Sequence, residues 1–210
     1  MRNSDREEIE EIERAFAGDA EAGVALACGI HDEVAALAVE LFRAKMPRTA
    51  YGPFLNTIWS FGHLNVIKAA KSERTLTAMF RYASYGLEKL PEGDTIRIYR
   101  GTSGVDERRA ACGYSWTTDR GVAAFFAVVR CGSGKPIVIA ADVPRESVLM
   151  YGGGRGDGER GEHEVFIRGV PWKISVTGTP EDWCDWVREY RPGISVDLEE
   201  ILKKRLPEYA

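Results

Sequence analysis

The stretch PEGDTIRIYRG, residues 91–101, marks the point at which the spacing of the apolar residues changes. Before it, apolar residues recur every three or four positions, which is typical of amphipathic helices. After it, Ile96 and Ile98 alternate with other residue types, which predicts a β-strand. The first four residues of the stretch form a turn signal. The sequence therefore predicts a helical region over 1–90 and a strand-rich region over 91–210.

The spacing of apolar residues and the positions of helix-capping residues predict the individual helices and strands of the two regions. Helices are predicted near 4–16, 32–45, 53–67, 72–90, 118–129, 180–190 and 197–206, the third with a break near Gly62. Strands are predicted over 96–100, 113–117, 136–143, 162–168 and 172–176. The fold class is α+β. We expect the helical region to pack on the second region, because only a short turn separates them.

Composition narrows the class of protein. The chain has 210 residues, 28 basic and 32 acidic side chains and a net charge of −4, so attraction of the whole molecule to nucleic acid is not expected. No apolar run approaches the ~20 residues of a membrane helix, and the charged start lacks the apolar stretch of a signal peptide. The four cysteines include no C-x-x-C pair and the three histidines lie far apart. We expect a cytoplasmic, reduced protein without a membrane segment or a metal.

Arg100 is the first anomaly, because it falls on the same strand face as Ile96 and Ile98, which should point into the core. An unpaired buried charge is costly, so we expect this guanidinium to meet an anion or a carboxylate. Its planar fork matches phosphate geometry. Gly101 and Thr102 follow and would let a ligand approach the backbone closely. The alternative is that the strand ends at Arg100 and its side chain is solvated.

Two later strands carry pairs of polar residues. Ser115 and Thr117 share one face, where buried hydroxyls need partners, although ordinary β-propensity beside a helix cap is an alternative. Glu162 and Glu164 are predicted to share one face of the strand over 162–168. Two carboxylates at such a short distance repel each other, which raises the pKa of one of them unless a cation or a ligand lies between them.

A glycine-rich segment precedes these carboxylates. Six of the 22 glycines lie between Gly152 and Gly161. No G-K-[ST] follows, and a strand rather than a helix comes next, so neither a Walker loop nor a dinucleotide-binding turn is indicated. The segment is either a flexible linker or a mobile loop that closes over a site and presents Glu162 to a second substrate.

The order of these features resembles the arginine–serine–glutamate pattern of the mono-ADP-ribosyltransferases. The three matching segments are residues 98–101, 113–118 and 161–167, the last containing Glu-x-Glu. The resemblance covers about residues 94–178. It departs from the family in its second motif, which often reads Ser-Thr-Ser and here reads Ser-Trp-Thr.

The resemblance implies a split β-sheet catalytic core that breaks the nicotinamide–ribose bond of NAD through an oxocarbenium-like transition state. Glu164 would stabilise the positive charge on the ribose, and Glu162 would orient or deprotonate the incoming nucleophile. Arg100 would hold a phosphate of NAD, and Ser115 would hydrogen-bond Glu164. The other residues implied to contact NAD are Gly101, Thr102, Tyr114, Thr117 and Phe126. For the two aromatic side chains, burial in the core is the alternative.

The presence of Glu162 also bears on the acceptor. In this family the first glutamate of Glu-x-Glu accompanies transfer to arginine or another nitrogen nucleophile, so a protein side chain is favoured over a nucleic-acid base or a small molecule. Two alternatives stay open: a NAD glycohydrolase, with water as the acceptor, and a catalytically silent module that binds a partner through its helical region. Toxin, viral effector and host modifier are all open as biological roles.

Overall fold

The computed structural model describes residues 3–29, 33–152 and 161–206, which form a mixed α+β protein. The chain divides into two units. The described part of the first unit comprises residues 3–29, 33–90 and 149–152, and that of the second comprises 91–148 and 161–206. The division falls at Pro91, in the turn where the apolar spacing changes. The sequence did not predict that the segment from Leu149 belongs with the first unit.

The first unit is helical. Its helices are α1 (Asn3–Phe16), α2 (Ala20–Gly29), α3 (Val34–Arg43), α4 (Arg48–Ala70) and α5 (Glu73–Ala83). The predicted break in α4 is confirmed at Gly62, whose backbone is not helical (φ −156°, ψ 45°). Ser72 caps α5 by accepting a hydrogen bond from the Thr75 amide. This helix ends well before Leu90, because Ser84 adopts a left-handed conformation (φ 44°).

Buried aromatic rings hold the helices of the first unit together. Trp59 packs edge-on against Phe80 with a centroid separation of 4.9 Å. The Tyr51 hydroxyl donates a hydrogen bond of 3.1 Å to the carbonyl of Ala38, so its polar atom is satisfied inside the core.

The strands are β1 (Thr95–Ser103), β2 (Ser115–Thr117), β3 (Pro136–Pro144), β4 (Val148–Gly152), β5 (Glu164–Ile167) and β6 (Ser175–Val176). The second unit contains a sheet in the order β5-β2-β1-β3-β6, with each strand antiparallel to its neighbours. β1 and β3 pair along their whole length, from Thr95 opposite Pro144 to Ser103 opposite Pro136.

Two strand bounds differ from the sequence predictions in ways that affect the site. β1 continues three residues beyond Arg100, so the alternative in which the strand ends there is wrong. β5 begins at Glu164 rather than at residue 162, because His163 has a positive φ of 46° that no strand residue adopts. Most of the glycine-rich segment, residues 153–160, lies outside the described residues.

The α- and π-helices of the second unit are α6 (Glu107–Ala111), α7 (Arg120–Phe125), a π-helix (Phe126–Arg130), α8 (Pro180–Tyr190) and α9 (Leu198–Arg205). The last four of these cover one face of the sheet. Residues of α7, the π-helix, α8 and α9 form a buried cluster with Val138 of β3, and Tyr99 packs against it. Val138 lies opposite Gly101 in register, so the cluster lies on the face of β1 that carries Tyr99. Among the described residues, no helix is both long and apolar enough to cross a membrane.

Candidate active site

Strand pairing brings the three sequence motifs side by side. Tyr99 of β1 lies opposite Thr117 of β2, and Thr117 lies opposite Glu164 of β5. Arg100 follows Tyr99 in β1, so the arginine, serine and glutamate motifs occupy three neighbouring strands. Segments that are up to 69 residues apart in sequence therefore meet in one part of the sheet.

Thr117 and Glu164 form a buried polar pair. Thr117 is 5% exposed and Glu164 is 9% exposed, and they are the buried residues of polar or charged type in the described part of the chain. Residues directly opposite each other in an antiparallel sheet point to the same face, so the hydroxyl and the carboxyl lie on one face. Burying a carboxylate costs free energy unless it is paired. The pair is thus a polar site inside an otherwise apolar part of the sheet.

Arg100, on the neighbouring strand β1, supplies a positive charge that interacts electrostatically with Glu164. Its Nη1 donates a hydrogen bond to the backbone carbonyl of Ser115, while its Nε is buried without a hydrogen-bond partner. Burial lowers the pKa of the guanidinium, whereas the side chains of Cys131 and Glu164 raise it. Because an arginine stays protonated in proteins, Arg100 is a buried cation with unused hydrogen-bonding capacity.

Gly113 provides the surface on which the Arg100 guanidinium rests. A Cβ atom at Gly113 would lie 2.0 Å from Cζ and 2.2 Å from Nη2 of Arg100. Strand alternation starts the Arg100 side chain on the face opposite to Tyr99. Its bond to the Ser115 carbonyl, which lies in the plane of the sheet, brings the charge to the beginning of β2. The hydrogen-bond acceptor of Arg100 is therefore a neutral carbonyl, and Glu164 acts on the guanidinium through an electrostatic interaction.

Glu162 and Glu164 occupy different environments. The prediction that both share one face of a strand is wrong, since the left-handed His163 interrupts the alternation before β5 begins. The carbonyl of Glu162 accepts a hydrogen bond of 2.7 Å from Thr117 Oγ1, and the carbonyl of His163 accepts one of 3.2 Å from the Thr118 amide. Glu162 is half-buried and Glu164 is buried. Glu164 thus lies inside the sheet, whereas Glu162 lies in the segment formed by residues 162 and 163 directly before β5. We call this segment the corner.

Ser115 lies one step along the strand from the buried pair. It is opposite Phe166 in register and shares a face with Thr117, which places it diagonally across from Glu164. The residue directly opposite Glu164 is Thr117 rather than Ser115. The hydrogen bond between Ser115 and Glu164 stays a prediction.

The glycine and threonine that follow Arg100 lie within the sheet. A Cβ atom at Gly101 would lie 1.6 Å from the carbonyl oxygen of Ala123, so the missing side chain lets α7 approach β1. Thr102 is half-buried opposite Ile137 of β3. Packing thus gives Gly101 a structural role, and the predicted contacts of Gly101 and Thr102 with NAD stay predictions.

The two aromatic candidates pack against other rings. Tyr114 stacks on Phe166 at 5.7 Å with an interplanar angle of 4°. Phe126 meets Phe125 edge-on at 6.2 Å. Both candidates are half-buried, so they combine a core contact with an accessible part. Their stacking on NAD stays a prediction.

Sequence reasoning missed the π-helix and the residue that holds its end. Three nitrogens of Arg205 donate hydrogen bonds to the carbonyls of Gly134 (2.8 Å), Val128 (2.6 Å) and Cys131 (3.0 Å). π-helices are rare and occur frequently at functional sites. The one sequence signal was a basic residue in the last turn of α9, which is common in surface helices.

Comparison with known proteins adds no family to these observations. Among the described residues, no group of three or more histidine, cysteine, aspartate or glutamate side chains is arranged to hold a metal ion. No protein-family model matches the chain, and no curated protein or solved structure matches it.

Proposed function

We propose that the second unit is an NAD-dependent mono-ADP-ribosyltransferase with a split β-sheet core, which transfers ADP-ribose to a nitrogen nucleophile of a protein side chain. The observation that carries the proposal is the buried carboxylate of Glu164, which interacts electrostatically with the buried cation of Arg100 on a neighbouring strand. The strands that bear these residues are neighbours, and their motifs occur along the chain in the order that the family resemblance requires.

Arg100 has the features that a phosphate-binding residue needs. Its Nε is a buried donor without a partner, and such a donor costs free energy until an acceptor meets it. A guanidinium binds phosphate oxygens through two parallel hydrogen bonds. A phosphate of NAD that accepted from Arg100 would use this free capacity, which supports the assignment of Arg100 to the diphosphate.

Glu164 has the features of the residue that stabilises the reaction centre. The reaction breaks the bond between the nicotinamide nitrogen and C1′ of the ribose, and nicotinamide leaves with the bonding electrons. The ribose thereby gains positive charge. A carboxylate in a buried site attracts that charge more strongly than one in water, because the surroundings screen it less. Glu164 is the buried carboxylate of the site.

Glu162 is suited to the acceptor. It is half-buried and lies on the corner in front of β5, so its carboxylate is more accessible than that of Glu164. A nitrogen nucleophile forms a bond to C1′ and loses a proton, and Glu162 would accept that proton. The two carboxylates would then have different roles, since Glu164 would stabilise the ribose and Glu162 would deprotonate the nucleophile.

The decisive experiment measures nicotinamide release from NAD, with and without a cell lysate as the source of acceptors. We expect Glu164→Gln to keep the fold and to lower release by about 100-fold or more, the usual scale for removing an electrostatic stabiliser. Glu146→Gln, at an exposed carboxylate of the same unit, is the matched control and should retain full activity. A Glu164→Gln variant with near wild-type turnover would sink the assignment.

Two further variants separate the alternatives. Glu162→Ala should reduce transfer to labelled protein more than it reduces hydrolysis, and equal losses would contradict its role at the nucleophile. Arg100→Ala should weaken NAD binding in a calorimetric titration, and unchanged binding would refute the phosphate contact. Release by the wild-type protein that needs no acceptor would favour a NAD glycohydrolase. Absence of release under every condition would favour a silent binding module.

A further inference from the structure

We propose that Thr117 positions the segment that bears Glu162 and does not contact NAD. The inference rests on the proposed function and changes one of its predicted residues. Thr117 is buried on the same sheet face as Glu164, which alone would suit either role. The hydrogen bonds of its hydroxyl decide between them.

The Thr117 hydroxyl is occupied by the protein itself. Oγ1 donates to the carbonyl of Glu162 at 2.7 Å and accepts from the amide of Asp119 at 3.0 Å. A hydroxyl has a single proton to donate, and here that proton goes to the Glu162 backbone. A phosphate or a carboxamide oxygen of NAD would have to displace Glu162 in order to accept from Thr117.

The same hydrogen bonds connect the corner to the start of α7. Asp119 Oδ1 accepts from the Gly121 amide at 2.6 Å and so caps α7. The Thr118 amide donates to the carbonyl of His163 at 3.2 Å. Residues 117–119 therefore connect the backbone of Glu162 and His163, through hydrogen bonds, to α7, which packs closely on β1.

These hydrogen bonds stabilise an uncommon backbone conformation at the corner. A positive φ is uncommon for a residue other than glycine, and His163 holds one at 46°. The pairing of β2 with β5 holds Glu164 independently, since Thr117 and Glu164 are in register through their backbones. Loss of the Thr117 hydroxyl should therefore displace Glu162 while leaving Glu164 in place. In the proposed reaction, transfer would suffer more than hydrolysis or NAD binding.

Thr117→Val and Thr117→Ser test the inference, because valine has nearly the same shape without a hydroxyl and serine keeps the hydroxyl. We expect Thr117→Val to lower kcat for transfer about fivefold or more, the scale of one lost hydrogen bond. KM for NAD and the rate of hydrolysis should stay within about twofold of wild type, and Thr117→Ser should retain most of the transfer activity. Thr95→Val, at an exposed threonine of β1, is the control for a hydroxyl lost elsewhere.

Amide hydrogen exchange provides a readout that does not depend on activity. The Asp119 amide should be protected in the wild-type protein and should exchange faster in Thr117→Val. Free exchange of that amide in wild type would overturn the inference even if the valine variant did not fold. A higher KM for NAD with an unchanged kcat in Thr117→Val, or equal damage by serine and valine, would also overturn it. A wild-type protein without NAD turnover would refute the proposed function, while exchange would still test the anchoring of Glu162.

Discussion

Replacing Gly113 with alanine would place a methyl group where the Arg100 guanidinium lies. The new Cβ would be 2.0 Å from Cζ, 2.2 Å from Nη2 and 2.3 Å from Nε, whereas ordinary contact begins at 3.4 Å. The guanidinium would have to move by about 1.5 Å to reach a normal carbon–carbon separation. Such a shift breaks its hydrogen bond to the Ser115 carbonyl. Gly113 has no positive φ, so alanine adopts its backbone without strain.

The cost follows from that hydrogen bond. A bond to a charged group contributes about 1.5–3 kcal/mol to stability. Part of this is regained, because the displaced guanidinium becomes better hydrated. We expect Gly113→Ala to lower the free energy of unfolding by about 1–2 kcal/mol. In an Arg100→Ala background the methyl group enters vacated space, and the same substitution should cost less than about 0.5 kcal/mol.

Urea unfolding of wild type, both single variants and the double variant measures this coupling. Gly29→Ala is the control, since among the described residues no atom beyond its chain neighbours and its own helix lies within 4 Å of its Cβ position, and it should not lower stability. The expected coupling free energy between Gly113 and Arg100 is about 1–2 kcal/mol. If the stability losses of the two single variants add up to that of the double variant within about 0.5 kcal/mol, Gly113 does not provide the space that the guanidinium occupies.

Two further predictions concern the frame of the second unit. Arg205→Ala should lower stability by about 2 kcal/mol in urea unfolding, because it removes three hydrogen bonds to carbonyls at the end of the π-helix. Lys204→Ala, which breaks an exposed pair with Glu200, should cost less than about 0.5 kcal/mol, and equal losses would contradict the role of Arg205. Burial raises the pKa of Cys184 from 9.0 to about 11, so the neutral thiol favours the fold and stability should fall from about pH 9 to 11. Iodoacetamide at pH 8.5 should label the exposed Cys28 and Cys112 well before Cys184, and simultaneous labelling seen by mass spectrometry would refute its burial.

The fold class could be predicted because it depends on local patterns. Residues 91–101 contain both a turn signal and the first alternating strand, and the two units divide there. The break in α4 at Gly62 was predicted because glycine, without a Cβ atom, adopts a non-helical backbone at low cost. Capping residues such as Ser72 likewise act within one turn of chain.

Predictions failed where contacts distant in sequence decided the local structure. Residues 162–168 are predicted as one alternating strand, yet the first two are held outside the strand by hydrogen bonds from Thr117, at the end of β2, and from Thr118. Arg205 fixes the end of the π-helix from more than 70 residues away, and nothing near residue 130 in the sequence signals that contact. β4 likewise begins at Val148, where the sequence analysis expected no strand.

In the candidate site, too, some features follow from local sequence and others depend on contacts distant in sequence. The order of short motifs, which is a property of the sequence, indicates Arg100, Ser115 and Glu164 as candidate site residues, and their roles stay predictions. The register that sets Thr117 opposite Glu164 depends on how β2 pairs with β5, and no residue nearby in sequence encodes it. The role of Gly113 appears only when the position of the Arg100 side chain is known.

The environment of Glu164 weighs against the silent binding module. That alternative expected Glu162 and Glu164 to be solvated strand residues, but Glu164 is 9% exposed and Glu162 precedes the strand. Buried charged side chains add little or nothing to stability compared with apolar side chains of similar size, even when they are paired. Packing alone therefore does not account for Arg100 and Glu164 inside the sheet. In the proposed reaction Arg100 would bind a phosphate and Glu164 would stabilise the ribose, so both buried side chains would have a role.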